Sequence, residues 1–481
     1  MDAPPVRKGL MQRWPLLTTT ILEHARRVYS HKKVVTNTVE GGVHRYTYGD
    51  MARRCDMLAY MLPTLGLAPG DVVGTLAWNT YRHMEVWYAV MGMGCVCHTL
   101  NPRLHPEQLI YIANHAEDKV ILVDVDLVPL LEKVAPSLKF TKHIVVMTDK
   151  AHMPSSTIPN LVCYEDLMDK AARELKGRFK WPSFSEETAC GLCYTSGTTG
   201  HPKGVLYSHR SNVLHAIISN MPAAFGLGAD DTIMPIVPMF HANAWAIAFS
   251  APMAGANLVL PGHKLDGASV YALLESERVN ITAAVPTVFM GLLQYLRTER
   301  KLLHHLKVLF IGGAACPRLL LEAYQNEHGV NVRPAWGMTE LSPNGTMVHV
   351  PKDEDLCYED RLQMKLKQGL PIYGVELKVT GDDGMELPQD GKTFGHLMVR
   401  GPAIAGGYLK GEGGKVLTDD GWFDTGDVGT LDSHCCMGIT DRAKDVIKSG
   451  GEWISSIDIE NEVVSLPQVA EAAVIGVEHP K

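Results

Sequence analysis

The 481-residue sequence is first defined by what it lacks. It has no block of lysines or arginines and a net charge of −8, so it presents no basic face for nucleic acid. It has no apolar run of the ~20 residues that a membrane-spanning helix needs. The most apolar window, Ala244 to Leu260, is shorter and is interrupted by Pro252, Gly255 and Asn257. Arg7, Lys8 and Arg13 are not followed by a clean apolar segment, so no secretory signal is expected. Internal repeats and low-complexity tracts are absent. Ten cysteines are present without the spacing of a disulfide framework. Cys95/Cys97, Cys190/Cys193 and Cys435/Cys436 sit in or beside apolar strand-like runs, and Cys190-x-x-Cys193 lacks a second pair at zinc spacing. Core thiols in a reducing cytosol are the expectation, hence a soluble cytoplasmic protein.

What is present is an ordinary globular composition, 46% hydrophobic and 20% charged, in a chain too long for one core. The first 150 residues alternate helix and strand signals. Thr47-Tyr48-Gly49-Asp50 reads as a helix start with a hydroxyl cap and an acid three residues on, and Met51, Cys55, Leu58, Ala59 and Leu62 follow at helical spacing. Val72 to Ala77, Val120 to Val123 and Ile144 to Met147 read as buried strands, and His105-Pro106-Glu107 as another helix start. The pattern recurs from about 230 to 340, with strands at Thr232–Val237 and Lys307–Ile311 and a helix at Ser269–Arg278. Such alternation predicts an α/β fold of mostly parallel, helix-covered sheets. After about 370, short strands between Gly/Asp turns predict a β-rich module, as in Val375–Val379 and His396–Arg400. The expected division is a large N-terminal region, 1–441, with the β-rich module at about 370–441. A hinge and the start of a small α+β domain follow at 442–481, including an apolar strand at Val469–Val477.

The most informative stretch is Tyr194-Thr195-Ser196-Gly197-Thr198-Thr199-Gly200-His201-Pro202-Lys203-Gly204, which directly follows the apolar run Cys190–Cys193. Glycines let backbone N–H groups turn toward one point, hydroxyls add donors, and Lys203 adds a mobile positive charge, which together make a polyphosphate cradle. It is not a Walker motif, which places Gly-Lys-Ser/Thr at the start of a helix; here Lys203 lies between Pro202 and Gly204.

This string resembles the phosphate loop of adenylate-forming enzymes: acyl- and aryl-CoA synthetases, luciferases and peptide-synthetase adenylation domains. The resemblance implies that Thr195, Ser196, Gly197, Thr198, Thr199, Gly200 and Lys203 hold ATP. Trp336-Gly337-Met338-Thr339-Glu340 looks like the family's aromatic-Gly-x-Thr-Glu motif, implying Glu340 as a Mg²⁺ ligand assisted by Thr195, with Thr339 donating to the α-phosphate. Gly312-Gly313-Ala314-Ala315 lacks large side chains after a buried strand, so a planar base could lie on its backbone. A tight strand–helix turn explains the same residues. Gly421-Trp422-Phe423-Asp424-Thr425-Gly426-Asp427 resembles the ribose motif, in which Asp427 accepts from both ribose hydroxyls. Ile439 and Arg442 belong to the same nucleotide set.

Pro238-Met239-Phe240-His241-Ala242-Asn243-Ala244-Trp245 resembles the substrate-side motif of fatty acyl-CoA synthetases. It implies His241 at the carboxylate and Trp245 as an acyl gate, with Gly312 and Gly313 nearby; plain core packing of Trp245 stays open. Lys444 matches the hinge about which the family's small domain swings. Gly450, Gly451, Glu452 and Trp453 match the segment lining the CoA channel.

These motifs, with Ala284–Val288, are most similar to medium- to long-chain fatty acid–CoA ligases and methylmercaptopropionate–CoA ligases. The implied function is an ATP-dependent carboxylic acid–CoA ligase that forms an acyl-adenylate, releases pyrophosphate and makes a thioester with CoA, with a homodimer usual in that group. The family's C-terminal domain carries a lysine that stabilises the adenylation transition state, and no residue here matches it; Lys481 falls too early. Two other readings therefore stand: adenylation with a non-CoA acceptor, and a non-catalytic acyl-adenylate or nucleotide-binding form.

Overall fold

Continuous apolar runs become strands buried on both faces, as a helix-covered parallel sheet requires. Val120–Val123 is the plainest case, buried at every position. The computed structural model of the chain describes residues 9–195, 201–350 and 357–443 and, further on, 447–449, 452–454, 456, 459–460, 463, 469 and 472–477.

One sheet has seven strands, in the order Val162–Cys163, His143–Val146, Val120–Val123, Val72–Leu76, Val96–Leu100, Ala189–Tyr194 and Gly204–Ser208. Its neighbours are parallel except the last pair, which is antiparallel. A second sheet has nine strands. Its centre is parallel, with Asn331–Gly337, Val308–Ile311, Ile281–Ala284, Thr232–Pro235, Asn257–Leu260 and Lys33–Asn37 side by side. Antiparallel pairs close both edges. The helices Tyr48–Met61 and Tyr81–Gly92 pack against strands of both sheets in one shared core, and every residue of the second helix is buried. Other helices cover the outer faces.

The helix expected after Thr47 begins where its cap predicts. Thr47 Oγ1 accepts from the Asp50 N–H at 3.2 Å, and the Asp50 carboxylate accepts from the Thr47 N–H at 3.2 Å, satisfying two otherwise orphaned donors. Met51, Cys55, Leu58, Ala59 and Leu62 all face the core. The change of texture after 370 corresponds to a separate antiparallel sheet of Glu376–Thr380, Gly395–Arg400, Phe423–Leu431 and Met437–Arg442. A hairpin pairs Ile447–Ser449 with Glu452–Ile454.

One expected element is not seen. Residues 472–477 form no strand, and Ile475 and Val477 are exposed. A lone extended segment gains little unless a neighbour pairs its backbone, and the described residues give this one a single bond, from the Val474 N–H to Glu460 Oε1 at 2.9 Å. All ten cysteines are free, and all but Cys357 and Cys435 are buried. Cys190 Sγ accepts from Asn212 Nδ2 at 3.2 Å, Cys193 Sγ lies 3.1 Å from Thr99 Oγ1, and no cluster of metal-binding side chains occurs among the described residues. Among those residues no helix is long and apolar enough to cross a membrane.

Candidate active site

Parallel strands deliver their carboxyl ends, and the loops after them, to one edge of a sheet, and open α/β sheets bind ligands there. The strand Ala189–Tyr194 ends at Thr195, Thr232–Pro235 runs on to His241, and Val308–Ile311 runs into Gly312-Gly313. With Trp336–Glu340 and the antiparallel sheet, these ends enclose a cavity of about 700 Å³. Its wall includes Thr195, Lys203, His241, Trp245, Glu340 and Arg442, which lie far apart in the chain.

The base of the loop is a hairpin. Tyr194 pairs with Gly204, and the Thr195 N–H donates to the Lys203 carbonyl at 2.9 Å. Ser196, Gly197, Thr198, Thr199 and Gly200 lie outside the described residues. Just past them, His201 stacks on Tyr111 with ring centroids 4.4 Å apart. The Lys203 ammonium sits 5.0 Å above the centre of the Tyr408 ring. The Tyr408 hydroxyl in turn donates to Glu340 Oε1 at 2.6 Å, while no described residue bonds Glu340 Oε2.

Gly337, Met338 and Thr339 line the cavity beside Glu340. The Thr339 carbonyl accepts from the Tyr207 hydroxyl at 2.6 Å. Trp336 is buried against Gly345, where a Cβ would come within 2.5 Å of the indole. Its Nε1 donates to Asp427 Oδ2 at 2.9 Å, and Arg442 Nη1 lies 2.9 Å from Asp427 Oδ1. The Asp427 carboxylate, expected to accept from two ribose hydroxyls, thus already holds one partner per oxygen. It is also almost wholly buried, while Asp424, Thr425 and Gly426 supply the cavity wall in its place. Burial pushes its carboxyl above the usual range, with Arg442 and the indole N–H pulling the other way. Ile439 is set back from the cavity, its N–H bonded to Gln368 Oε1 at 2.5 Å.

His241 opens onto the same cavity, and the surrounding protein lowers its pKa by desolvation, favouring a neutral imidazole. Trp245 lies over Gly312, where an added Cβ would come within 3.0 Å of Trp245 Cη2 and 2.6 Å of the Ala335 carbonyl. Gly313 has φ +80° and lines the cavity, whereas Ala314 and Ala315 do not. Ala242 to Ala246 all have φ between +43° and +65°, a left-handed turn built without glycine. Asn344 holds it from outside, donating through Nδ2 to the Trp245 carbonyl at 3.0 Å. Buried Asn243 is bonded to Asn212 at 3.3 Å.

Lys444, Gly450 and Gly451 lie outside the described residues. Glu452 and Trp453 are described only as backbone, paired with Ser449 and Lys448. Tyr408, Tyr207 and Asn344 carry no local signal in the sequence that marks them as part of the site. Gly406-Gly407-Tyr408 reads as a plain loop, and no local pattern ties it to Glu340.

A family model described as "AMP-binding enzyme" matches residues 22–409. The chain is 45% identical to a 3-methylmercaptopropionyl-CoA ligase of Ruegeria lacuscaerulensis, over 98% of this chain and 87% of that relative. It is 46% identical to a medium-chain-fatty-acid–CoA ligase of Ectopseudomonas oleovorans, over 98% of this chain and 86% of that one. Its fold is similar to that of a crystal structure of an anthranilate CoA ligase in complex with anthranoyl-AMP, with a TM-score of 0.85, 24% identity and coverage of 97% of this chain and 86% of that one.

Proposed function

Since this chain belongs to the AMP-binding enzyme family, we propose that it is an ATP-dependent carboxylic acid–CoA ligase. Its substrate class is a medium- to long-chain fatty acid or 3-methylmercaptopropionate. The acid would be activated by attack of a carboxylate oxygen on the α-phosphorus of ATP, with pyrophosphate leaving. The CoA thiol would then attack the acyl carbonyl, with AMP leaving. The observation that carries this reading is the convergence of phosphate-side groups, Thr195, Lys203 and Arg442, with acyl-side groups, His241 and Trp245, around one cavity.

In this reading Lys203 and Arg442 balance charge on the triphosphate, a role suited to fixed cations in a partly dry site. Thr195 and the loop after it hold the phosphates. Neutral His241 offers one ring N–H to a carboxylate oxygen without drawing the substrate into an ion pair that would blunt its nucleophilicity. Trp245 covers the way toward the acyl side, lying over Gly312 where even a Cβ has no room. A hard cation such as Mg²⁺ fits this donor set, because Glu340 keeps an oxygen unbonded by any described residue and shares a cavity wall with Thr195. When bound it would neutralise phosphate charge. Trp336 and Arg442, which line the cavity and are held by Asp427 behind them, would position the ribose, and the segment 450–453 would admit CoA.

The test is AMP formation in the presence of ATP, Mg²⁺ and CoA across short, medium, long, aromatic and thioether acids. Turnover should require both the acid and CoA and be highest with medium- to long-chain or thioether acids. Equal AMP formation without CoA would overturn the ligase assignment.

A further inference from the structure

Tyr408 touches both Glu340, the proposed cation ligand, and Lys203, one of the two proposed phosphate-side cations. Its hydroxyl donates to Glu340 Oε1 at 2.6 Å, and its ring face lies 5.0 Å from Lys203 Nζ. The geometry is anchored from several directions. The Ala405 N–H donates to the Glu340 carbonyl at 2.8 Å, and Ser342 Oγ donates to the Ala403 carbonyl at 2.7 Å. The ring meets Phe423 edge-on at 6.5 Å and packs beside Cys193, Val205 and Tyr207. Gly413 stands close to the ammonium, where a Cβ would lie 3.1 Å from Lys203 Nζ. Facing a carboxylate oxygen, which has no hydrogen to give, the Tyr408 hydroxyl is the donor of this bond.

We propose that Tyr408 is a positioning residue for the metal–polyphosphate site. Its hydroxyl fixes the Glu340 carboxylate with one oxygen left for a divalent cation, and its ring holds the Lys203 ammonium at the wall of the cavity that both residues line. A carboxylate with one oxygen tied down loses less rotamer freedom when the cation arrives, and a cation over an aromatic face is held without being neutralised. This role rests on the reading of the cavity as an ATP site.

Two substitutions separate the two contacts. Tyr408→Phe keeps the ring and removes the hydroxyl; Tyr408→Leu removes both. ATP binding to the purified chain is followed by calorimetry, without metal and across a Mg²⁺ series. In Tyr408→Phe, metal-free ATP affinity should stay within about twofold of the parent, while the Mg²⁺ needed for half of the metal-dependent gain rises about tenfold, the weight of one charge-assisted hydrogen bond. In Tyr408→Leu, metal-free affinity should fall too. A nucleotide-independent readout is the rate at which an amine-directed reagent acylates Lys203, followed by mass spectrometry. It should rise in Tyr408→Leu and stay unchanged in Tyr408→Phe. An unaltered Mg²⁺ dependence in Tyr408→Phe overturns the hydroxyl's role, and equal Lys203 reactivity in all three proteins overturns the ring's. Equal losses with and without metal in Tyr408→Phe would show a merely structural tyrosine. If the parent binds no ATP, the ATP-site reading fails, and the Lys203 rates still judge the ring contact.

Discussion

At the scale of single residues, Asp427 shows how a buried charge is kept. Its carboxylate is almost fully buried, and each oxygen has a partner, the Trp336 indole N–H on one side and the Arg442 guanidinium on the other. The two partners differ in what they lose if Asp427 goes. Arg442 is half exposed and can turn to water, so that ion pair adds little by itself. Trp336 is buried, and its N–H would be left without an acceptor. Asp427→Ala should therefore lower stability by about 1–3 kcal/mol, the cost of orphaning a buried donor. It should also weaken ATP binding more than Arg442→Ala does. Urea unfolding checks the first statement and calorimetry the second; unchanged unfolding would mean that the indole finds another acceptor.

At the scale of elements, the turn Ala242–Ala246 departs furthest from what its residues prefer. Alanine and tryptophan have no local reason to adopt φ between +43° and +65°, and a left-handed turn costs roughly 1–2 kcal/mol per residue. The cost is met from outside the turn. Asn344 binds the Trp245 carbonyl, also donates to Ser219 Oγ at 3.3 Å, and gives its own N–H to His215 Nε2 at 3.2 Å; Asn243 is bonded to Asn212. Asn344→Ala keeps the backbone bond to His215 and deletes the side-chain bonds. We expect it to destabilise the fold by about 2 kcal/mol, in the range for losing buried hydrogen bonds, and to change the fluorescence or mobility of Trp245. If both stay as in the parent, the turn is held by packing alone. The helix Tyr48–Met61 is the opposite case, because its cap, acidic partner and apolar spacing all sit within its own sequence.

At the scale of the whole molecule, three buried histidines give the fold a defined acid limit. His83 Nε2 accepts from the Trp87 indole N–H at 3.0 Å, His215 Nε2 from the Asn344 N–H, and His209 Nδ1 from the Thr18 N–H at 3.1 Å. A ring nitrogen that accepts cannot carry a proton. Burial accordingly lowers these pKa values to about 4, about 3 and about 4. Each histidine is neutral in the folded chain and takes up a proton on unfolding below pH ~6.5, its ordinary value. Their contribution to stability is thus complete above pH ~6.5 and is lost as pH falls toward about 4, at up to about 4 kcal/mol per pH unit for three protons. Denaturant unfolding at pH 7.5, 6 and 5 should show this decline. A flat profile would place these rings in contact with water.

Much of this protein is decided within short stretches of chain. The buried strands, the capped helix after Thr47, the change to antiparallel strands after 370 and the glycine-rich stretch that follows the apolar run Cys190–Cys193 all follow from residues close together in the chain, where apolar spacing, caps and glycines act. The motifs around Thr195, Trp336 and His241 could likewise be read as pieces of one site. Their meeting around one cavity could not be read that way, because it depends on the order in which strands join two sheets. Only the tertiary structure brings Tyr408 to Glu340 across 68 residues, gives the Asp427 oxygens to Trp336 and Arg442, and bends Ala242–Ala246 left-handed. Local preference says nothing about the first two and opposes the third; all three are settled by packing between segments distant in the chain, where the cost of one element is offset by the bonds of another.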